Sequence, residues 1–306
     1  MSHVQMQPGT TMVITGAGSG FGLEFARLGA ERGVNLVLTD VQTDALDAAV
    51  AELKDKGAKV VGLRADVSRG EDLQHTADLC LERFGVPNVV INNAGVAHGG
   101  LIWEHTERDW EWVLGVNLMG VAHGVRVFTP LMLAEARKNP QWRGHIVNVA
   151  SMAGLLNSPN MGVYNVSKHA VVSLSETLYQ DLSLVTEQVH ASVLCPYFVP
   201  TGIHQSHRNR PKDMRGDGKP TASQMIAQAM STKAVTSGKV TAADTAKLVF
   251  DAIEANRFYI YTHPQALGMV QTRLEDVVMG RNPTDPFAGK PEIGEQLRAA
   301  LRAAQD

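Results

Sequence analysis

Three residues of the chain could transfer a proton together. Tyr164 and Lys168 stand four residues apart, and Ser151 ends an apolar run thirteen positions upstream of Tyr164. Residues spaced i and i+4 share one face of a helix, so the ammonium of Lys168 is expected beside the phenol of Tyr164. A phenol has an ordinary pKa of about 10, and a neighbouring cation lowers it. A phenol with a lowered pKa exchanges a proton with a carbonyl or an alcohol near neutral pH.

A glycine-rich turn at residues 15–22 follows the first predicted strand and opens a helix. Glycines let a backbone turn sharply and approach a pyrophosphate, whose charge a helix N-terminus favours. The strict G-x-G-x-x-G spacing is absent because position 21 is Phe, so a purely structural turn is the alternative. The candidate cofactor contacts in this turn are Gly16, Gly18, Ser19, Gly20, Phe21 and Gly22.

Asp40 ends the second predicted strand, eighteen residues after Gly22. A carboxylate at this place accepts hydrogen bonds from the ribose 2′-hydroxyl of NAD and repels the 2′-phosphate of NADP. Its neighbours Thr39 and Val41 supply no compensating cation, so NAD is the preferred cofactor. The alternative is an acidic residue that only ends the strand. A hydride carrier beside a proton-transfer group indicates alcohol/ketone redox chemistry.

Short apolar runs alternate with helical patterns from residue 12 onward. Most of these runs are nearly continuous Val, Ile and Leu, which is typical of parallel strands covered by helices on both faces. The alternation predicts an α/β fold with a doubly wound, mostly parallel seven-stranded sheet of the Rossmann type. The predicted strands are 12–15, 35–39, 59–63, 86–92, 145–150, 189–195 and 258–261.

Helix starts are predicted where Ser or Thr precedes an acidic residue by three positions, at 68–71, 106–109 and 241–244. No shift in composition divides the chain, so we expect a single domain over residues 1–306. Within it, we expect a flexible leader at 1–9, an inserted substrate lid at 202–238 and a C-terminal extension at 263–306. Residues 294–304 of the extension have a helical pattern.

The overall composition excludes several function classes. The chain has 306 residues, is 44% hydrophobic and carries a net charge of −3, so nothing draws it as a whole to nucleic acid or an anionic membrane. It shows neither a signal peptide nor an apolar run of about 20 residues, which predicts a cytoplasmic protein. Cys80 and Cys195 are expected to be free thiols. No metal site is expected, because His204 and His207 lack a further ligand at suitable spacing.

Five motifs occur in the order and at the spacing that the short-chain dehydrogenase/reductase family shows, and over residues 10–200 the chain resembles its single-domain branch. The glycine motif is matched by Thr15, Gly16, Gly20 and Gly22, and the Asn-Asn-Ala-Gly motif by residues 92–95. The remaining matches are Asp66-Val67, Asn117, and Ser151 with Tyr164 and Lys168.

The resemblance implies a role for each of four catalytic residues. Tyr164 would be the general acid and base, and Ser151 would hydrogen-bond the carbonyl oxygen. Lys168 would lower the pKa of Tyr164 and bind the nicotinamide ribose, while Asn117 would hold a water that links Lys168 to solvent. The further cofactor contacts that it implies are Asp66, Val67, Asn93, Ala94, Gly95, Pro196, Val199 and Thr201.

The chain departs from the family pattern after the sixth strand, where Pro196 is followed by Tyr197 instead of Gly. Tyr197 either reshapes the substrate pocket or points into the core. The candidate substrate contacts by position are His98, Ser151, Leu155, Tyr164, Tyr197 and Phe198. The apolar surroundings favour an apolar or aromatic-bearing secondary alcohol or ketone as the small-molecule substrate.

Other functions are compatible with parts of the pattern. A reductase of carrier-protein thioesters is one, and a dinucleotide-binding regulator without chemistry is another, although the regulator should lack one of Ser151, Tyr164 and Lys168. A sugar-nucleotide epimerase or dehydratase would carry a larger C-terminal domain. The family resemblance also implies a homo-oligomer, a dimer or tetramer packed through the helices that carry Asn117 and Tyr164.

Overall fold

A seven-stranded sheet forms the centre of the molecule in the computed structural model, which describes residues 3–215 and 219–304. The strand order is β3-β2-β1-β4-β5-β6-β7, and all neighbouring pairs are parallel. This confirms the doubly wound Rossmann-type sheet. The strands are β1 (Thr11–Thr15), β2 (Asn35–Asp40), β3 (Val60–Arg64), β4 (Val89–Asn92), β5 (Gly144–Val149), β6 (Val189–Cys195) and β7 (Tyr259–Tyr261).

The strand order reverses between β1 and β4, which pair side by side although two strands separate them in sequence. In open parallel sheets, the crevice at the carboxyl ends of the strands at such a reversal is where ligands bind. The structure starts β4 three residues later than predicted, at Val89. Pro87 accounts for this difference, because it has no N–H to donate to a neighbouring strand.

Helices cover both faces of the sheet. Phe25 and Phe250 are fully buried on one face, where α1 packs against α8, and Phe128 is fully buried on the other, where α3 packs against α5. The α-helices are α1 (Gly20–Glu31), α2 (Thr43–Asp55), α3 (Gly70–Phe84), α4 (Glu107–Leu114), α5 (Gly120–Lys138), α6 (Gly162–Val185), α7 (Ala222–Thr236), α8 (Ala242–Glu254), α9 (Leu267–Val278) and α10 (Pro291–Ala303).

Two of the three predicted helix starts are confirmed as capping boxes. The side chains of Thr106 and Thr241 accept hydrogen bonds from the backbone three residues on, and the acidic residue at that position bonds back. The start predicted at Ser68 is wrong: α3 begins at Gly70, and the Ser68 hydroxyl donates to the carboxylate of Asp66 at 2.7 Å instead.

A π-helical turn, Gly115–Met119, joins α4 to α5. The combined run Glu107–Lys138 is long and apolar enough, by length and composition alone, to cross a membrane, which the sequence reading did not anticipate. In this fold α4 packs against α6, and α5 packs against α3 and β4, so one side of the run packs within the domain.

The described part of the expected flexible leader, residues 3–9, is anchored to the core. Val4 and Met6 are buried among the side chains that cover β1, and the Met6 amide donates to the carboxylate of Glu254 at 3.0 Å. Apolar burial and a hydrogen bond hold these residues in place, although the sequence predicts a flexible leader. The predicted helix of the extension forms as α10, which packs against α7. The structure does not describe three short parts of the predicted segments: residues 1–2 of the leader, 216–218 of the lid and 305–306 of the extension.

Candidate active site

The glycine-rich turn between β1 and α1 is shaped for close backbone approach. Gly16 and Gly20 have φ angles of +66° and +56°, which residues with a side chain rarely adopt. A Cβ on Gly22 would lie 2.2 Å from the carbonyl oxygen of Gly16, so a larger residue there would force the turn apart. The turn therefore needs glycine at positions 16 and 20 for their backbone angles and at position 22 for lack of space.

Asn93 supports this turn from beneath. Its Nδ2 donates to the carbonyl oxygens of Thr15 and Gly16 at 2.8 and 3.0 Å, while the Thr15 hydroxyl accepts from the Asn93 and Ala94 amides. The Ser19 side chain makes no capping bond to the first turn of α1. The side chain of Ser19 therefore leaves the first amides of α1 uncapped. A pyrophosphate site at a helix N-terminus requires such uncapped amides.

Asp40 ends β2 beside the turn and is only 7% exposed. Its Oδ2 accepts from the Gly18 amide and its Oδ1 from the Gln42 amide, both at 2.9 Å. A carboxylate offers about four acceptor positions, so capacity for ribose hydroxyls remains. The same crevice is lined by Asp66 and Val67, where Asp66 accepts hydrogen bonds from the amide and hydroxyl of Ser68. The described residues thus fit a nicotinamide dinucleotide from its adenine end to its diphosphate.

Tyr164 and Lys168 lie on the same side of α6 and face the crevice. They are 9% and 2% exposed, and the Lys168 Nζ is 5.9 Å from the centroid of the Tyr164 ring. Nζ also donates to the carbonyl oxygen of Val149 at the end of β5, at 3.0 Å. The juxtaposition expected from their spacing is present.

Burial determines how both groups titrate. Burial raises the pKa of the Tyr164 phenol above its ordinary value, and an interaction with the Ser151 side chain acts in the opposite direction. Burial lowers the pKa of Lys168 to about 8. The net effect is a raised pKa of Tyr164, because desolvation disfavours the phenolate more strongly than Ser151 favours it, and the role of Lys168 in lowering this pKa stays a prediction.

Ser151 lies two residues after the end of β5 and lines the crevice together with Tyr164 and Lys168. Its hydroxyl accepts from the Ala153 amide at 3.1 Å and reaches the Pro196 carbonyl oxygen at 3.4 Å. These contacts fix the side chain at the carboxyl edge of the sheet. Three residues from two elements therefore meet at one end of the crevice.

Asn117 lies in the π-helical turn and is fully buried. Its Oδ1 accepts from the Val96 amide at 2.8 Å, and its Nδ2 donates to the Val96 carbonyl and to the Ser167 hydroxyl, both at 3.0 Å. The side chain does not line the crevice, and these bonds occupy its amide. Its side chain holds the chain beside Gly95, and the water that would link Lys168 to solvent stays a prediction.

Most of the predicted site residues do meet along one crevice. Those lining it are Gly16, Ser19, Gly20, Phe21, Asp40, Asp66, Val67, Asn93, Ala94, Gly95, Ser151, Tyr164, Lys168, Pro196, Tyr197, Phe198, Val199 and Thr201. Gly18 and Gly22 lie behind its wall, against Asp40 and Gly16 respectively.

Two candidate substrate contacts are not on the lining of the crevice. The His98 ring faces Asp109, with Nε2 3.2 Å from Oδ1, because that buried carboxylate offers it a partner. Leu155 packs with the apolar cluster that contains Met152 and Val172. Both predictions followed sequence adjacency to a motif, which does not fix the direction of a side chain.

Tyr197 lines the crevice, and its ring centroid lies 4.3 Å from that of Phe198 and 5.8 Å from that of His263. Burial raises the pKa of its phenol. Tyr197 was expected either to reshape the substrate pocket or to point into the core. It lies at the crevice, although one side of its ring also packs on the core.

Several residues in the wall of the crevice were not named from the sequence. Trp112 belongs to α4, Met161 directly precedes α6, and Val235 belongs to α7. The wall contributed by the segment after β6 consists of Gly202, Ile203, Ser206, Arg208, Asn209, Pro211 and Met214. This segment lies within the predicted substrate lid, residues 202–238, although the sequence did not indicate which of its residues line the crevice.

Three potential metal ligands cluster near this wall. Ligand atoms of His98, His105 and Asp109 all lie within 4.8 Å of one another, an arrangement the sequence reading did not anticipate. The guanidinium of Arg210 lies 2.5 Å from the same Asp109 oxygen that faces His98. A divalent cation there would have to displace Arg210, so the cluster is better suited to an ion pair.

Comparison with known proteins decides the family. Residues 10–212 match the family described as short chain dehydrogenase. The chain belongs to this short-chain dehydrogenase family. Its fold agrees with a short chain dehydrogenase/reductase from Burkholderia phymatum solved in complex with NAD, with 53% identity, a TM-score of 0.90 and coverage of 92% of this chain and 99% of that one.

Curated relatives of this short-chain dehydrogenase are also redox enzymes by name. A CLA biosynthesis dehydrogenase/reductase from Lactiplantibacillus plantarum is 35% identical over 272 residues, which cover 87% of this chain and 92% of that protein. A C alpha-dehydrogenase from Sphingobium sp. (strain NBRC 103272 / SYK-6) is 30% identical over 291 residues, 95% of this chain and 91% of that protein. The chain is therefore an oxidoreductase of this family, whose members bind nicotinamide dinucleotides.

Proposed function

We propose that this short-chain dehydrogenase is an NAD-dependent enzyme that interconverts secondary alcohols and ketones. The observation that carries the proposal is the convergence of Ser151, Tyr164 and Lys168 at one end of a crevice whose other end presents Asp40 and the glycine-rich turn. The NAD complex of the Burkholderia phymatum relative supports the choice of cofactor.

The proton-handling groups have distinct tasks. When bound, NAD accepts or supplies the hydride. Tyr164 gives its proton to the carbonyl oxygen in reduction and takes it back in oxidation, a role worth about 10²–10⁴-fold in rate. Ser151 donates a hydrogen bond to the same oxygen and stabilises the charge that develops on it.

Lys168 and Asn117 act around these two groups. Lys168 is buried and lines the crevice, and its Nζ has N–H donors beyond the one that bonds the Val149 carbonyl oxygen. This ammonium is therefore placed to bind a ribose hydroxyl. Asn117 is a positioning residue that fixes Val96 and, with it, the loop at Gly95 that follows β4. A non-catalytic regulator has no need for these groups to converge.

The substrate is proposed to be apolar or aromatic-bearing. The side chains near the proton-transfer end include Met161, Tyr197, Phe198, Ile203 and Val235, which offer apolar surface and few hydrogen bonds. The dehydrogenase and reductase names of the relatives support the reaction type. Cytoplasmic location and a dimer or tetramer remain predictions; in the protomer, Val163 and Val171 are buried while Val166 is 42% exposed on α6.

The test is spectrophotometric. NADH absorbance is followed while the wild-type enzyme acts on a panel of aryl and alkyl secondary alcohols and ketones. The same panel is then tested with the Tyr164→Phe variant. We expect Tyr164→Phe to lose about 10²–10⁴-fold in kcat while its Kd for NADH changes little. Tyr179→Phe, a matched change on the exposed part of α6, should keep full turnover. Full turnover in Tyr164→Phe would refute the assignment, and acceptance of a carrier-protein thioester alone would favour that alternative substrate.

A further inference from the structure

A buried ion pair ties the segment after β6 to α4. The Arg210 Nη1 lies 2.5 Å from Asp109 Oδ1, and the two side chains are only 12% and 5% exposed. The Arg210 Nε donates to the Met214 carbonyl at 2.8 Å, and the guanidinium carbon is 5.2 Å from the centroid of the Trp112 ring. The guanidinium is thus held by a charge, by a carbonyl and by an aromatic face.

Asp109 is itself fixed in place. Its Oδ2 accepts from the Thr106 amide and hydroxyl at 2.8 and 2.9 Å, which caps α4, and His98 lies 3.2 Å from its Oδ1. Burial raises the pKa of this carboxyl, but hydrogen bonds from His98, Thr106 and Arg210 outweigh it and hold the pKa well below its usual range. The carboxylate is therefore charged at neutral pH and needs a cation.

The neighbours of Arg210 form the wall of the crevice. Asn209, Pro211 and Met214 line it, whereas Arg210 points away from it toward α4. Trp112, against which the guanidinium packs, also lines the crevice. The ion pair therefore lies directly behind this wall. It connects the part of the wall that follows β6 with the part contributed by α4.

We infer that the Asp109–Arg210 pair positions this wall over the substrate, with Arg210 as a positioning residue for the reaction; this inference rests on the proposed function. A buried ion pair adds little stability compared with apolar side chains of similar size, but it fixes one arrangement, because each charge accepts few other partners. Arg210 acts on the substrate only through Pro211 and Met214, which it holds in place.

The experiment compares Arg210→Met with Arg210→Lys and with Lys212→Met, a control that removes an exposed cation two residues further on. A wall that moves by about 1 Å lowers kcat/KM by roughly 10–100-fold. We expect this loss in Arg210→Met to arise mainly from a higher KM for the substrate, with an unchanged Kd for NADH. Arg210→Lys should recover part of it, and Lys212→Met should behave as wild type.

Hydrogen–deuterium exchange supplies a readout without substrate. Peptides spanning residues 203–215 should exchange about tenfold or more faster in Arg210→Met, while peptides of β1 and α1 should not change. The double variant Asp109→Asn, Arg210→Met removes the charge that the single variant leaves unpaired, so it keeps the test valid if the single variant fails to fold.

Two results would overturn the inference: unchanged exchange with an unchanged substrate KM, or a loss confined to kcat. Failure of the proposed function looks different. In that case the wild type would neither bind NADH nor turn over any member of the panel, while the exchange comparison would still report on the ion pair.

Discussion

The cofactor preference rests on one carboxylate, so Asp40→Asn is its most direct test. This change removes the negative charge at the end of β2 and keeps the shape of the side chain. In the wild type, the charge is held by the Gly18 and Gln42 amides at 2.9 Å each, and only 7% of the residue is exposed. The carboxylate therefore cannot turn away from a 2′-phosphate placed in the crevice.

The expected magnitude follows from the Coulomb interaction. Two unit charges about 4 Å apart interact by roughly 4 kcal/mol at an effective dielectric constant of 20, which corresponds to about 10³-fold. Solvent at the open side of the crevice reduces this. We expect the ratio of kcat/KM for NADPH to that for NADH to rise about 10²–10³-fold in Asp40→Asn.

Activity with NADH should also fall. An Asn amide group would direct an N–H toward either the Gly18 or the Gln42 amide, and losing one such bond costs about 1–3 kcal/mol. The measurement is initial rates with both cofactors on one substrate. Asp44→Asn, a matched change at an exposed position, should leave the ratio unchanged. Wild-type preference for NADPH, or an unaltered ratio in Asp40→Asn, would refute the reasoning.

Three further outcomes can be measured. Gly22→Ala places a Cβ 2.2 Å from the Gly16 carbonyl oxygen, so we expect about 1–3 kcal/mol of lost stability and weaker NADH binding by fluorescence titration; an unchanged Kd would contradict the tight turn. Burial lowers the pKa of His145 to about 3, so the unfolded chain takes up the proton first as the pH falls below about 6.5. Stability should therefore decline between pH 6.5 and 3 by up to about 1.4 kcal/mol per pH unit for this group, and His145→Asn should flatten the slope in urea unfolding. Thr241→Ala removes the capping box with Asp244 and should lower Tm by roughly 2–4 °C in a thermal melt, and an unchanged Tm would show the cap to be dispensable.

The strand positions could be predicted because each depends on local sequence. Runs such as residues 36–38 and 89–91 are apolar on both faces, and that composition alone favours a parallel strand between helix layers. The predicted start of a strand was wrong where a single residue decides it, as Pro87 does for β4. The burial of Val4 and Met6 near the N-terminus depends on partners far along the chain, such as Glu254. No local sequence pattern therefore predicts it.

In the candidate site, the sequence alone determined local features: the glycine positions, the carboxylate at the end of β2, and the four-residue spacing of Tyr164 and Lys168. Only the tertiary structure decided which groups are desolvated and what they meet. Burial raises the pKa of Tyr164, and Arg210 reaches Asp109 across 101 positions of sequence. Spacing along a helix fixes neighbours on one face, whereas burial and distant pairing arise only when the whole chain packs.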